Sequence, residues 1–327
     1  GKPASWYPRA ESPLLSELVA EGKLLPVAER VGPEPVVFKG VEGIGSYGGT
    51  WFEVAGSQND IRKIVTFFSG STLVRWSPLG YPIVPHVAKG WESSPDKREW
   101  IFYLRRGMKW SDGHPFTADD ILYRLNQEVD PESPVTDPPA WMKIGGRTGE
   151  IVKIDDYTVK FVFPQPYGVF LERLAGAKDF CAPRHYLEKY HPKLGDDSLI
   201  EATLEARRLP SRRSLYLLLK LWDNPEHPQL WPWIYHTYKS NPPQVFVRNP
   251  YYWAVDTEGN QLPYVDQLFV DVKNYNLIPI AAANGAITFK IFDSMDLNYI
   301  LLMSQRETND YEVYHWFPAT RSRFNIY

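Results

Sequence analysis

The chain has 327 residues, 43% hydrophobic and 23% charged, with a net charge of −3 at pH 7 and a pI near 6.2. That length and composition fit a two-domain protein with a packed core and exclude a disordered chain. The missing basic surplus excludes broad neutralisation of nucleic-acid phosphates, so nucleic acid is not an expected partner. Cys181, the sole cysteine, excludes an intramolecular disulfide and any multi-cysteine metal site, which leaves stability to packing.

No stretch approaches the roughly 20 apolar residues of a spanning helix. The best run, LYLLLKLW at 215–222, is interrupted by Lys220. The sequence opens GKPASWYP, without the charged and apolar regions of a signal peptide, so any export signal or lipoprotein anchor is expected to have been removed. The 12 Trp and 20 Tyr exceed what a core of this size needs and suit a cleft, while 29 Pro point to fixed loops rather than a helical bundle.

In chain order, residues 14–20 predict a short helix, and the proline-spaced 25–38 predicts an extended arm over the surface. A glycine-rich turn at 43–49 leads into an alternating strand, then a helix around 60–68 and a strand-like end at Trp76. Short strands separated by turns occupy 80–105, where Trp100, Phe102 and Leu104 alternate with Ile101, Tyr103 and Arg105. The string KWSDGHPFTADDI at 109–121 reads as strand end, turn and helix start. Trp110 closes the strand, Asp112 and Gly113 supply turn chemistry, and Thr117 with Asp120 forms a capping-box variant before the apolar stripe Ile121, Leu122, Leu125 and Val129. A proline-rich loop at 129–141 ends at Trp141, a candidate cleft edge. A hairpin follows at 151–163, turning at Asp155 and Asp156. Helical patterns return on either side of Cys181–Pro183 and at 199–208, and two strands flank the turn 256–260.

Three stretches carry a family resemblance: EWIFYLRRGMKWSDGHPFTADDI at 99–121, RNPYYWAVDTEGNQLPYVDQL at 248–268, and the N-terminal run from Glu11 through IGSYGGTW. They resemble the signatures of the extracytoplasmic solute-binding proteins of family 5, the peptide/nickel class serving ABC importers, in one of its larger subgroups. The resemblance implies an α/β, periplasmic-binding-protein-like fold of class II with an extra inserted domain. It places a first lobe at 1–60 and 205–285, an inserted domain at 61–204, and the start of a second lobe at 286–327, that lobe being mostly missing because family chains run on further. It implies reversible capture of oligopeptides outside the membrane, at the periplasmic or extracellular face, by a monomer that delivers them to ABC permease subunits. It also implies that the loop after the first strand, with Ser57 and Gln58, lies at the cleft, and that Trp231 belongs to a Pro-Trp segment leading back to the first lobe.

The remaining motifs have plain explanations. Gly43, Gly45 and Gly48 match the dinucleotide pattern literally, yet a strand follows where a helix N-terminus is required. The turn 256–260 lacks the bidentate carboxylate of a calcium loop, and His185 and His191 do not share a helix face, so no metal is expected. RRLPSRR at 207–213 reads as a solvated connection. No nucleophile elbow or catalytic cluster is present, so the chain is read as a non-enzyme without cofactors; a glycosidase with two distant carboxylates is the one class invisible to this reading. Trp110, Asp112, Gly113, Thr117 and Asp120 are read as structural, and the candidate ligand contacts are Ser57, Gln58, Trp141 and Trp231. Two alternatives accompany the peptide reading. One is an oligosaccharide ligand stacked on tryptophans, and the other is an incomplete, non-binding fragment with an exposed lobe interface.

Overall fold

The computed structural model describes residues 4–130, 135–237, 243–290 and 298–314. Near the N-terminus, α1 (Pro13–Ala20) and α2 (Val27–Val31) precede β1 (Val36–Phe38). The stretch 25–38, expected to be an extended arm, is therefore partly helical and docked. The reason is Arg30, which is fully buried and donates to the carbonyls of Leu25 and Pro250 and to Gln261 while pairing with Glu11. A buried guanidinium is tolerated only with its donors satisfied. Burial lowers its pKa to about 10, so the charge persists at neutral pH.

β2 (Thr50–Ala55) leads into α3 (Gln58–Thr66), followed by β3 (Val74–Trp76), β4 (Ile83–Pro85), β5 (Ala88–Ser93) and β6 (Glu99–Leu104). After the 109–117 turn comes α4 (Ala118–Leu122), which runs directly into a π-helical turn at Tyr123–Gln127. The small ribbon β7 (Lys143–Ile144) and β8 (Arg147–Thr148) precedes the hairpin β9 (Glu150–Asp155) and β10 (Thr158–Val162). Four helices follow: α5 (Phe170–Leu174), α6 (Arg184–Leu187), α7 (Asp197–Arg207) and α8 (Arg212–Leu219). Then come β11 (Trp233–Tyr235), β12 (Gln244–Arg248), β13 (Ala254–Asp256), β14 (Gln267–Val272), α9 (Ile278–Ala283) and α10 (Tyr299–Gln305).

Two four-stranded sheets organise these elements. One is antiparallel in the order β5-β6-β10-β9. Its register sets Trp100 beside Phe161 and Phe102 beside Val159, so one face is a wall of large apolar groups, as period-two alternation requires. Phe170 of α5 packs on that wall against Phe102, Phe161 and Phe163. The other sheet has the order β11-β12-β14-β2, with β14 and β2 parallel. α3 covers it: Ile61, Ile64, Val65 and Phe68 meet Phe246, Leu268 and Val270.

β1 and β13 pair in parallel and bring Val36, Trp253 and Ala254 into the first sheet's core. A third cluster joins the π-helical turn to α7 and α8 through Tyr123, Ile200, Leu215 and Tyr216. Two of the three expected domain limits fall inside helices, 60/61 in α3 and 204/205 in α7. α3 packs as a whole on the second sheet, because its apolar stripe must be buried against one surface. The surplus of aromatics is only partly available to a cleft, since Trp100, Trp110, Trp141 and Trp253 belong to the buried core. Of the stretch expected to begin a further lobe, residues 291–297 and 315–327 lie outside the described residues.

Candidate functional site

The parallel pair β2/β14 ends at Ala55 and Val272, and the carboxyl ends of parallel strands are where α/β sheets receive ligands. Ser57 caps α3 there. Its Oγ accepts from Asp60 N at 3.4 Å and donates to the Asp60 carboxylate at 2.9 Å. Gln58 is exposed on the first turn of the helix. Gly56 is required beside them, since a Cβ would come within 2.3 Å of the Tyr275 ring. The Tyr275 hydroxyl donates to Asp60 at 2.5 Å and lies 3.3 Å from Ser57 Oγ, and the bond to Asp60 holds its carboxyl below the usual pKa. Beyond the edge of β2, Thr288 N–H donates to Phe52 O at 2.9 Å, and Lys290 Nζ reaches Glu53 at 2.9 Å and Val54 O at 2.6 Å. Burial raises the Glu53 pKa and the Lys290 contact opposes that rise.

At the other end of α3 lie two adjoining cavities, of about 370 and 400 Å³, sharing Ser71 and Lys178. The segment Trp231-Pro232-Trp233 borders both, Trp231 on the first and Pro232 with Trp233 on the second. Phe68, just past α3, holds the two indoles edge-on at 6.3 and 5.7 Å. The first cavity is walled by Trp110, Trp222 and Trp231, with Arg124, Lys220 and Gln229 supplying polar groups. Volumes of this order and this mixture of aromatic surface with a few polar groups are those of small-molecule sites.

Arg124 and Lys220 of the first cavity are matched by carboxylates within the protein. Arg124, set by the π-helical turn, donates to Thr136 at 3.0 Å and pairs with Asp179 at 3.3 Å and Glu128 at 3.5 Å. π-turns recur at functional sites. Lys220 pairs with the same buried Glu128, which also accepts from the Tyr216 hydroxyl at 2.5 Å. Burial lowers the Lys220 pKa, and His227 in the same wall is pushed down to about 3 by burial and by Lys220, so it stays neutral. Among the described residues no group of His, Cys, Asp or Glu is arranged to hold a metal.

The four residues singled out from sequence are not gathered at one place. Ser57 and Gln58 stand at the start of α3, and Trp231 stands beyond its end, about 15 Å of helix and turn away. Trp141 is a core residue rather than a cleft edge: it packs against Phe161 and Phe170 and donates Nε1–H to Asp179 at 2.8 Å. Since Asp179 lines the first cavity, Trp141 acts on that wall only through its partner.

The signature residues serve turns and caps. Gly113 has φ +88, its N–H meets Trp110 O at 2.9 Å, and Asp112 accepts from His114 N–H at 3.1 Å. Thr117 caps α4 and Asp120 accepts the Thr117 N–H at 3.0 Å. Trp110 has a second position that sequence reasoning missed, on the wall of the first cavity. Also missed were Tyr275, Arg75, Lys178 and Trp222. Trp222, the last residue of the apolar run 215–222, was the one with a visible signal; an isolated lysine or arginine carries none.

The family described as "Bacterial extracellular solute-binding proteins, family 5 Middle" matches residues 82–300. Among curated proteins, the periplasmic alpha-galactoside-binding protein of Rhizobium meliloti is 32% identical over 83% of this chain and 40% of its own length. Among solved structures, an oligopeptide-binding protein OppA superposes with a TM-score of 0.86 at 37% identity, covering 94% of this chain and 49% of that one. The periplasmic binding protein MelB of Agrobacterium fabrum, in complex with stachyose, gives 0.72 at 27% identity over 91% of this chain and 46% of that one. The chain thus spans less than half the length of each of these relatives.

Proposed function

Because the chain belongs to family 5 of the bacterial extracellular solute-binding proteins, we propose that it forms the ligand-capturing part of the binding subunit of an ABC importer. It acts outside the membrane, hands its ligand to permease subunits and performs no chemistry on it. The observation that carries this reading is the pair of adjoining aromatic cavities at the junction of the two sheet cores, with the indoles of Trp231 and Trp233 between them. Stiff, amphipathic rings offer contact area at small entropic cost, and the few polar groups between them fix orientation. No described helix is long and apolar enough to cross a membrane.

The ligand is a short oligomer, and a peptide is the first reading. It is supported by the likeness to OppA over 94% of the chain. An oligosaccharide is the second reading, favoured by the three tryptophans of the first cavity and by the likeness to an alpha-galactoside-binding protein and a stachyose complex. Thermal unfolding in the presence of peptide pools and of galactoside pools separates them, since a ligand bound only by the native state raises the midpoint by mass action. A rise with one pool names the ligand class. No rise with either pool removes the capture reading.

A further inference from the structure

The two cavities differ in their charge balance. In the first, Arg124 and Lys220 share Glu128, and Arg124 also meets Asp179. The second is lined by Phe38, Phe67, Phe68, Trp233 and Tyr252 together with Arg75, Lys178 and His86, and no carboxylate is among its lining residues. His86 adds no charge, because burial, with Arg75 nearby, lowers its pKa to about 3. Neither Arg75 nor Lys178 forms an ion pair with a carboxylate among the described residues; their partners there are backbone carbonyls, a hydroxyl and a ring.

The geometry leaves donors unspent. The Arg75 guanidinium lies 4.9 Å above the Phe38 ring centre, and its one hydrogen bond among the described residues is a long one, 3.5 Å from Nε to Trp76 O. A guanidinium has five N–H donors in a planar fork suited to a carboxylate. Lys178 Nζ reaches Thr66 O at 3.1 Å and Ser69 Oγ at 3.4 Å, which among the described residues leaves one of an ammonium's three donors unused. Burial also lowers the Lys178 pKa, so an arriving anion would stabilise its charged form.

We infer that the second cavity is an anion subsite in which Arg75 and Lys178 receive a carboxylate carried by a ligand with an apolar or aromatic body. This rests on reading the two cavities as the capture site, and it names the class of ligand they select. Lys178 and Ser71 border both cavities, so a ligand anchored by its acid in the second can extend its body along Trp231 into the first. The same chemistry fits a peptide carboxyl group or the uronic acid of a sugar.

Calorimetric titration with 2-naphthoate and with its uncharged counterpart 2-naphthylmethanol tests the subsite directly. The wild type is expected to bind the acid saturably and the alcohol at least tenfold more weakly. Arg75→Gln and Lys178→Gln are each expected to weaken the acid by about tenfold, the loss of one charge-assisted hydrogen bond. Lys178 is on the exposed rim, so its variant keeps the test valid if removal of Arg75 disturbs folding. Equal binding of acid and alcohol, or an acid affinity unchanged in both variants, overturns the proposal. A peptide against its C-terminal amide, and an oligogalacturonide against its methyl ester, then distinguish the source of the carboxylate. Naphthoate binding that depends on both cations while peptide and sugar pools fail would retain the subsite and remove oligomer capture. Oligomer binding with no discrimination between acid and alcohol would do the reverse.

Discussion

At the scale of single residues, the buried cationic and imidazole groups set how the protein answers to pH. His86 is 5% exposed, packs against Trp253 with ring centres 4.9 Å apart and tilted by 58°, and engages Thr72 through Nδ1. Its folded pKa of about 3 lies below the usual value of 6.5. Below pH 6.5 the unfolded chain therefore binds a proton that the folded chain refuses, and stability falls as pH drops toward 3. From this residue alone the loss between pH 7 and pH 5 should be about 2 kcal/mol, at roughly 1.4 kcal/mol for each pH unit below the unfolded pKa. Urea denaturation of the wild type and of His86→Gln at both pH values checks it. The stability difference between the two proteins should shift in the variant's favour at pH 5, and identical pH slopes would refute this account.

At the scale of elements, the signature string works by joining helices. Thr117 Oγ1 accepts the Asp119 N–H at 3.3 Å and forms a capping box with Asp120, whose carboxylate accepts the N–H groups of both Thr117 and Arg184, at 3.0 and 3.1 Å. Asp120 thus ties the start of α4 to the start of α6. Thr117→Ala should cost about 1 kcal/mol, the ordinary value of an N-cap. Asp120→Ala should cost at least about 2 kcal/mol, because it leaves two N–H groups without an acceptor. Denaturation midpoints of the two variants decide the matter, and equal costs would mean that the bond to Arg184 contributes nothing. The π-helical turn that follows α4 has an equally specific consequence: it places Arg124 on the first cavity's wall and Glu128 in the core.

At the scale of the whole molecule, the junction of the two sheet cores separates the two tryptophans that sequence reasoning had grouped. Trp231 borders the first cavity and touches Phe68 of the second sheet's core, while Trp141 is packed inside the first sheet's core. Trp231→Leu should weaken capture of the responding pool by at least about tenfold, through loss of aromatic contact worth about 1.5 kcal/mol or more. Trp141→Leu should instead lower global stability by about 2–4 kcal/mol, as large-to-small core changes do. Isothermal titration beside urea denaturation of both variants measures the contrast, and a binding defect greater in Trp141→Leu would reverse the assignment.

Local patterns determined what depends on neighbours in the chain. The alternation of Trp100, Phe102 and Leu104 reported a strand with one buried face, and Asp112 with Gly113 reported a turn. Thr117 with Asp120 likewise reported a cap, because each of these is settled within a few residues of backbone. The family was legible for the same reason, its signatures being strings of such local features. Proline spacing misreported 25–38, since nothing local reveals that Arg30 will find acceptors at Pro250 and Gln261, 220 and 231 residues away. The cavities were equally out of reach. Arg75, Lys178, Trp222 and Trp231 have no common spacing and come together only when α3, the antiparallel sheet and the segment 227–233 pack. Whether a tryptophan faces a core or a cavity, and whether a lysine meets a carboxylate or waits without one, are properties of that packing, because they depend on which distant surfaces are brought within contact distance.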